Sequence, residues 1–277
     1  MAEWIVCCGM IRSGSTLQYQ IAKSIVETTG IGRALGYYKQ QDFMNLLKQH
    51  ADENIWFVVK NHWHFTIPAE YSSDKFRFIY CYRDFRDIAI SLMKKEQMTF
   101  DFFINAFDFN TPLEQYKKWI SEDRIYISRY EKFVEDIKSE VEGIASFLGI
   151  QLTQDKISKI ALNHSLENQK KYLHKISETN TLDEKYGYQL DGNSLMHTNH
   201  INSGKVNQWK NELTSFEIEK LQRKVKPYLI ENGYRIHRSV YSIYLIYYLR
   251  NALYWINKRG LFHVLKNRYK KSIANRS

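Results

Sequence analysis

Apolar residues fall along this chain in short unbroken blocks, separated by stretches with helical spacing. Trp4-Ile5-Val6-Cys7-Cys8, Ile55 to Val59 (IWFVV) and Phe76 to Tyr82 (FRFIYCY) are continuous runs, as strands buried on both faces would be. Arg124 to Ser128 (RIYIS) is a fourth, shorter one. Between them the period changes. Leu17 to Glu27 places Leu17, Ile21, Ser24 and Ile25 on one helical face, and Phe43 to His50 reads as a second helix. Asp84 to Lys95 predicts a helix with Asp84 as N-cap and Ile88, Ala89 and Leu92 inside. Thr111 to Ser121 opens on Thr-Pro, a helix-start signature. Val134 to Leu148 is helical up to a stop at Gly149. Strands alternating with helices predict an α/β fold with a central parallel sheet and crossover helices.

From Ser165 to His200 the chain turns polar and weakly periodic, which predicts a long mobile segment with the character of a lid. Helical spacing returns from Leu213 to Val225, with Thr214 as cap. After Arg238 the chain is rich in Tyr, Ile, Leu and Trp, and then in Lys and Arg. Ser239 to Ile256 has about the length of a membrane span, but Arg250, Asn251 and several tyrosines lie inside it, where a span tolerates them poorly. Two readings remain: a helix pair packed on the body with a solvated basic face, or a basic amphipathic helix on an anionic membrane surface. The expected organisation is a main domain over 1–236 and a basic, aromatic-rich helical extension over 237–277.

Charge sharpens that division. The 277 residues carry a formal net charge of +10. From Asn232 onward there are ten Lys and Arg and no Asp or Glu, so the remaining thirty cations balance all thirty acids. The body is neutral, and a nucleic-acid partner is not expected from the overall excess. Cys7, Cys8 and Cys81 lie in apolar runs, with neither a disulfide framework nor metal-ligand spacing. A reducing, cytoplasmic setting is expected. Glu3 and the early polar loop interrupt any apolar signal segment.

The candidate chemistry begins in the loop after the first apolar run, Arg12-Ser13-Gly14-Ser15-Thr16-Leu17. A strand, a small glycine-containing loop and a helix start make an anion trap. Unpaired N–H groups and the positive end of the helix dipole face the loop, with hydroxyls and a guanidinium beside them. It is not a GxxxxGK[ST] phosphate loop, because no lysine precedes Ser15-Thr16. The other strand ends are alike: Lys60-Asn61-His62 follows IWFVV, Arg83-Asp84 follows FRFIYCY, and Arg129-Tyr130 follows RIYIS. In a parallel sheet, Arg12, Lys60, His62, Arg83 and Tyr130 gather at one rim, where such sheets bind ligands.

These motifs resemble the sulfotransferases that use 3′-phosphoadenosine 5′-phosphosulfate (PAPS). RSGSTL at 12–17 is similar to their 5′-phosphosulfate loop, and RDFRDIAIS at 83–91 to their 3′-phosphate motif. VVKNH at 58–62 matches their Lys-x-His strand end. RYEKFVEDIKSEVEGIASFLGI at 129–150, GKVNQW at 204–209 and NGY at 232–234 are similar to later segments of the family. The resemblance spans roughly residues 4 to 236 and implies a three-layer, P-loop-like fold. It implies that Arg12, Ser13, Gly14, Ser15 and Thr16 cradle the phosphosulfate and that Arg83 and Ser91 bind the 3′-phosphate. Tyr130 would lie by the adenine, and His62 would act as general base in preference to His64. Lys60 and Arg12 would neutralise charge on the leaving phosphate, with no metal required. Three departures stand out, one of them Asn207 where the family has a glycine. Leu17 occupies a position where cytosolic animal relatives stack a tryptophan on adenine. Asn202-Ser203-Gly204 replaces an Arg-Lys-Gly, leaving Ser203, Gly204 and the adjacent Lys205 to complete the 3′-phosphate site.

The reaction implied is sulfuryl transfer to a hydroxyl or amine of a small-molecule, glycan or lipid acceptor. The alternatives are a nucleoside or nucleotide kinase on a related scaffold and a non-catalytic nucleotide-binding module. Pocket walls are expected from loops at 30–42, 97–112 and 165–198, where Tyr37, Tyr38, Phe100, Phe102, Phe103, Phe107 and Phe109 hint at an apolar or ring-bearing acceptor.

Overall fold

The computed structural model describes residues 2–179, 182–183, 188–198, 201, 204–238 and single positions between 248 and 260. Five strands, β1 (Glu3–Gly9), β2 (Gly32–Tyr37), β3 (Trp56–Lys60), β4 (Phe76–Tyr82) and β5 (Ile125–Arg129), form one parallel sheet in the order β2-β3-β1-β4-β5. The helices are α1 (Ser15–Thr29), α2 (Gln40–Gln49), α3 (Phe85–Lys95), α4 (Phe100–Ala106), α5 (Asn110–Ile120), α6 (Tyr130–Glu135), α7 (Ile137–Leu148), α8 (Gln154–Asn163), α9 (Leu166–Thr179), α10 (Trp209–Glu212) and α11 (Ser215–Glu231).

The unbroken apolar runs have a direct cause. The pleat sends alternate residues to opposite faces, and helices cover both faces. Trp4, Val6 and Cys8 of β1 join Phe57, Val59, Phe78 and Tyr80 in a core shared with α2, α3, α5 and α11. Ile5 and Cys7 join Val58 and Ile79 in a second core with α1, α7 and α8. Burying one such Val, Ile or Phe side chain contributes about 1.5–3 kcal/mol. The result is the expected three-layer α/β arrangement.

Several expectations are corrected. The 30–42 segment is not a loop: β2 occupies much of it as the fifth strand, at the sheet edge, and RIYIS is therefore the last strand of five. Segment 97–112 contains α4, and Phe103 and Phe109 are core residues. The aromatic hint there reflects packing, since Phe103 and Phe107 stack on each other at 4.9 Å. The 165–198 segment is ordered where described. It contains α9 and a small antiparallel sheet of β6 (Leu182–Asp183), β7 (Tyr188–Asp191) and β8 (Met196–His197). Leu173, Ile176 and Met196 give it a satellite core of its own. The helix expected from Val134 is two helices, because the Asp136 side chain accepts from Ser139 N–H and starts α7 afresh. Asp84 and Thr214 cap α3 and α11 as expected, Thr214 through a reciprocal capping box with Glu217.

The basic extension lies largely outside the described residues. Among those described, no helix is long and apolar enough to cross a membrane.

Candidate active site

The sheet order contains a switch point. The chain leaves β1 towards β2 on one side and leaves β4 towards β5 on the other, so a crevice opens beyond the ends of β1 and β4. A cavity occupies it. Its lining includes Arg12, Gly14, Thr16 and Leu17 from the β1–α1 turn, Arg83 and Ser91 from β4–α3, Tyr130 from the start of α6, and Gly204.

The turn after β1 is built to hold this shape. Gly14 is the N-cap of α1 at φ 91°, the left-handed region that favours glycine. A Cβ there would lie 2.7 Å from Tyr130 Cδ2 and 2.8 Å from Phe133 Cζ. Arg12 also has positive φ, at 59°. The first helical bond runs from Gln18 N–H to Gly14 O, at 3.2 Å, so the N–H groups just before it precede the helical ladder.

The cations sit close together out of bulk water. Arg12 Nε donates to Ser91 Oγ at 2.8 Å. Burial lowers the Arg12 pKa, and the neighbouring Arg83 charge lowers it further. Arg83 is itself buried, its guanidinium carbon 4.1 Å from the centre of the Tyr130 ring. Its Nη2 donates to Lys205 O at 2.8 Å and lies 3.6 Å from Asp87, while its Nε is buried with no hydrogen-bond partner. Asp87 accepts from Asn207 N–H at 2.7 Å and Trp209 N–H at 3.1 Å. One buried carboxylate therefore ties the 204–209 segment to the arginine. The Arg83–Asp87 pair, which could have been a weak surface bridge, is sealed inside.

Lys60, the last residue of β3, donates to Thr16 Oγ1 beside the same turn. Burial pushes its pKa down to about 8. His62 lies two residues on, with Nδ1 3.4 Å from Gly9 O and its ring 5.7 Å from that of Tyr37. Burial, with the Lys60 charge adding to it, pushes the His62 pKa down to about 3, so the imidazole is neutral and weakly basic in the free protein. Neither residue lines the cavity; both stand on the β3 side of the turn, opposite Arg83 and Tyr130. His64 is engaged elsewhere, with its ring on Glu122 and its N–H donating to Gln115.

A family model described as the sulfotransferase domain matches residues 3–233. This chain belongs to the sulfotransferase domain family. Comparison with curated proteins returns no match. Among solved structures, retinol dehydratase with androsterone and inactive cofactor PAP superposes with TM-score 0.56 at 17% identity, over 82% of this chain and 80% of that one. Retinol dehydratase with retinol and PAP gives 0.56 at 15% identity, over 85% and 83%. Mouse sulfotransferase SULT7A1 with PAP gives 0.55 at 16% identity, over 81% and 83%. At these identities the likeness is one of fold.

In this sulfotransferase-domain chain, Arg12, Gly14, Thr16, Leu17, Arg83, Ser91, Tyr130 and Gly204 converge on the cavity as expected, whereas Ser13, Ser15 and Lys205, like Lys60 and His62, do not line it. Ser13 is fully buried, its hydroxyl on the carbonyls of Met10 and Cys81 and its N–H donating to Met10 O, so it braces the turn from within. Lys205 offers its carbonyl to Arg83, while the residue as a whole is exposed. Ser15 is buried at the start of α1, and Ser203 lies outside the described residues. The sequence reading missed Gln20, His164, Gln169 and Met196, which complete the cavity wall. It also missed His197 of β8, whose pKa is pushed down to about 4 by burial first and then by the charges of Arg12, Lys95 and Lys60. Gln18 and Gln20, uncharged polar residues within the predicted first helix, were the one available signal, and it is a weak one.

Proposed function

We propose that this protein moves a sulfuryl group from PAPS to a hydroxyl of a small, largely apolar acceptor, with His62 as general base. The observation that carries the reading is the meeting of Arg12, Ser91 and Arg83 at the β1/β4 switch point, around a glycine turn that a side chain would fill. The donor set suits a bisphosphorylated nucleotide. Two guanidiniums, one with an unpartnered buried Nε, and the N–H groups opening α1 favour anions without a metal. When bound, PAPS supplies an activated sulfuryl group and leaves as the bisphosphate PAP, the ligand named in the structures of the three neighbours.

Within that reading, the N–H groups of the turn and Arg12 hold the 5′ end. Arg83 and Ser91 hold the 3′-phosphate, and Tyr130 lies by the base. Lys60 stands where leaving-group charge would build up, and His62, whose Nδ1 faces Gly9 O, takes the acceptor proton on Nε2. Tyr37 (40% exposed) and Trp63 (48%) flank His62 and offer apolar surface to the acceptor. Two of the neighbouring structures hold androsterone and retinol, small and largely apolar molecules that carry a hydroxyl.

Two experiments test the proposal. Incubation with labelled PAPS and a panel of sterols, retinoids and phenols is expected to label at least one of them, and calorimetry is expected to show tighter binding of PAP than of AMP. Equal affinity for PAP and AMP would remove the basis for the reading. His62→Ala is expected to abolish turnover and leave PAP affinity unchanged.

A further inference from the structure

The cavity wall beyond Leu17 sets two buried amides among apolar residues such as Val134, Ile137 and Met196, where a pocket for a flat aromatic base needs only apolar contact. Gln20 stands one turn after Leu17 on α1 and lines the cavity at 5% exposure. Its amide orientation is set by its partner: Nε2 donates to Ser194 O at 2.9 Å, and a carbonyl can only accept. Oε1 is left sealed from solvent with no donor. A buried carbonyl oxygen without a donor is unfavourable, and a ligand supplying an N–H would relieve it.

Gln169 of α9 lines the same cavity, also nearly buried. It is braced from behind by His164, whose Nδ1 lies 3.2 Å from Gln169 Nε2 and whose Nε2 lies 2.8 Å from Ser24 Oγ on α1. In this arrangement the Gln169 amide nitrogen faces the imidazole, and its Oε1 is a second acceptor with no donor among the described residues. Burial holds His164 neutral, its pKa pushed down to about 4, so the brace persists at ordinary pH.

We propose that Gln20, seconded by Gln169, reads the edge of the nucleobase and selects a 6-aminopurine over a 6-oxopurine. An exocyclic amine supplies the donor that Gln20 Oε1 lacks. At the position of that amine a 6-oxo group sets an acceptor against an acceptor, and the oxygen is satisfied only if the base shifts to bring its N1–H there, which is how a polar pocket disfavours a near-isostere. The inference rests on the nucleotide reading above and adds the residues by which this chain discriminates among nucleotides. They differ from the stacking residue that Leu17 replaces.

Calorimetry on the full chain with adenosine 3′,5′-bisphosphate and inosine 3′,5′-bisphosphate tests it without any turnover. The expected result is a preference for the adenosine compound of about tenfold or more, narrowing to within about threefold in Gln20→Leu or Gln20→Met. Equal affinity in the unaltered protein, or a full preference surviving both substitutions, would overturn the base-reading role and leave the nucleotide site standing. Failure of either bisphosphate to bind would overturn the nucleotide reading, and this inference with it. If both variants fail to fold, the comparison in the unaltered protein decides alone.

Discussion

Arg12 Nε donates to Ser91 Oγ across 2.8 Å, joining the turn after β1 to a helix that begins after β4, 79 residues along the chain. The hydroxyl thus holds the guanidinium over the crevice before any ligand arrives. Ser91→Ala is expected to weaken PAP binding by about tenfold to a hundredfold, the range for a hydrogen bond involving charged groups. Thermal stability should change little. Calorimetry and a melting curve on the same sample check both, and unaltered affinity would exclude Ser91 from the site.

Gly14→Ala makes the opposite kind of change, adding one carbon and removing no contact. At φ 91° the new Cβ meets Tyr130 and Phe133 below 3 Å, so the turn must move. The backbone strain alone is about 1–3 kcal/mol. PAP affinity is expected to fall at least about tenfold, with a lower melting temperature.

The pH dependence of kcat/KM should show the unusual states of Lys60 and His62. Lys60, with a pKa near 8 in the free protein, loses its charge above that pH, so activity is expected to fall along an alkaline limb near 8. His62 is neutral down to about 3, so no acid limb near its ordinary 6.5 is expected from it. Lys60→Met should lower kcat by about a hundredfold or more, roughly 3 kcal/mol of transition-state stabilisation. An acid limb near 6.5 in the unaltered protein would contradict this assignment.

Asp87 is fully buried and holds three groups at once: Arg83, Asn207 N–H and Trp209 N–H. Asp87→Ala strands a buried guanidinium and is expected to cost about 3–5 kcal/mol, or about 10 °C in melting temperature for a domain of this size. It should also weaken PAP binding, because the 204–209 segment loses its anchor.

His164 links stability to pH. Its folded pKa near 4 lies below the ordinary 6.5, so the unfolded chain binds the extra proton between those values. Stability is therefore fully present above 6.5 and is lost as pH falls towards 4, at up to about 1.4 kcal/mol per pH unit for this group. Urea midpoints across pH 4.5–7 should show a shallower slope in His164→Gln than in the unaltered protein.

How far the chain could be read varies with burial. FRFIYCY was legible to the residue as β4, because both its faces meet helices and no polar residue is tolerated at its buried positions. GRALGY was not read as β2, because an edge strand with two glycines and half-exposed side chains carries no such run. Likewise α9 hides its few inward residues, Leu173 and Ile176, in a polar stretch, because they face a satellite core with Met196 and not the main sheet.

Cationic residues at successive strand ends were visible in order along the chain, since parallel strands must deliver their C-terminal residues to one edge. Tertiary structure decided the rest. It turned Ser13 inward, buried Arg83 against Asp87 and brought Gln20 and Gln169, 149 positions apart, into one cavity wall. Local pattern records which residues leave water. Which polar groups then meet depends on how separate helices pack, and no spacing along the chain encodes that.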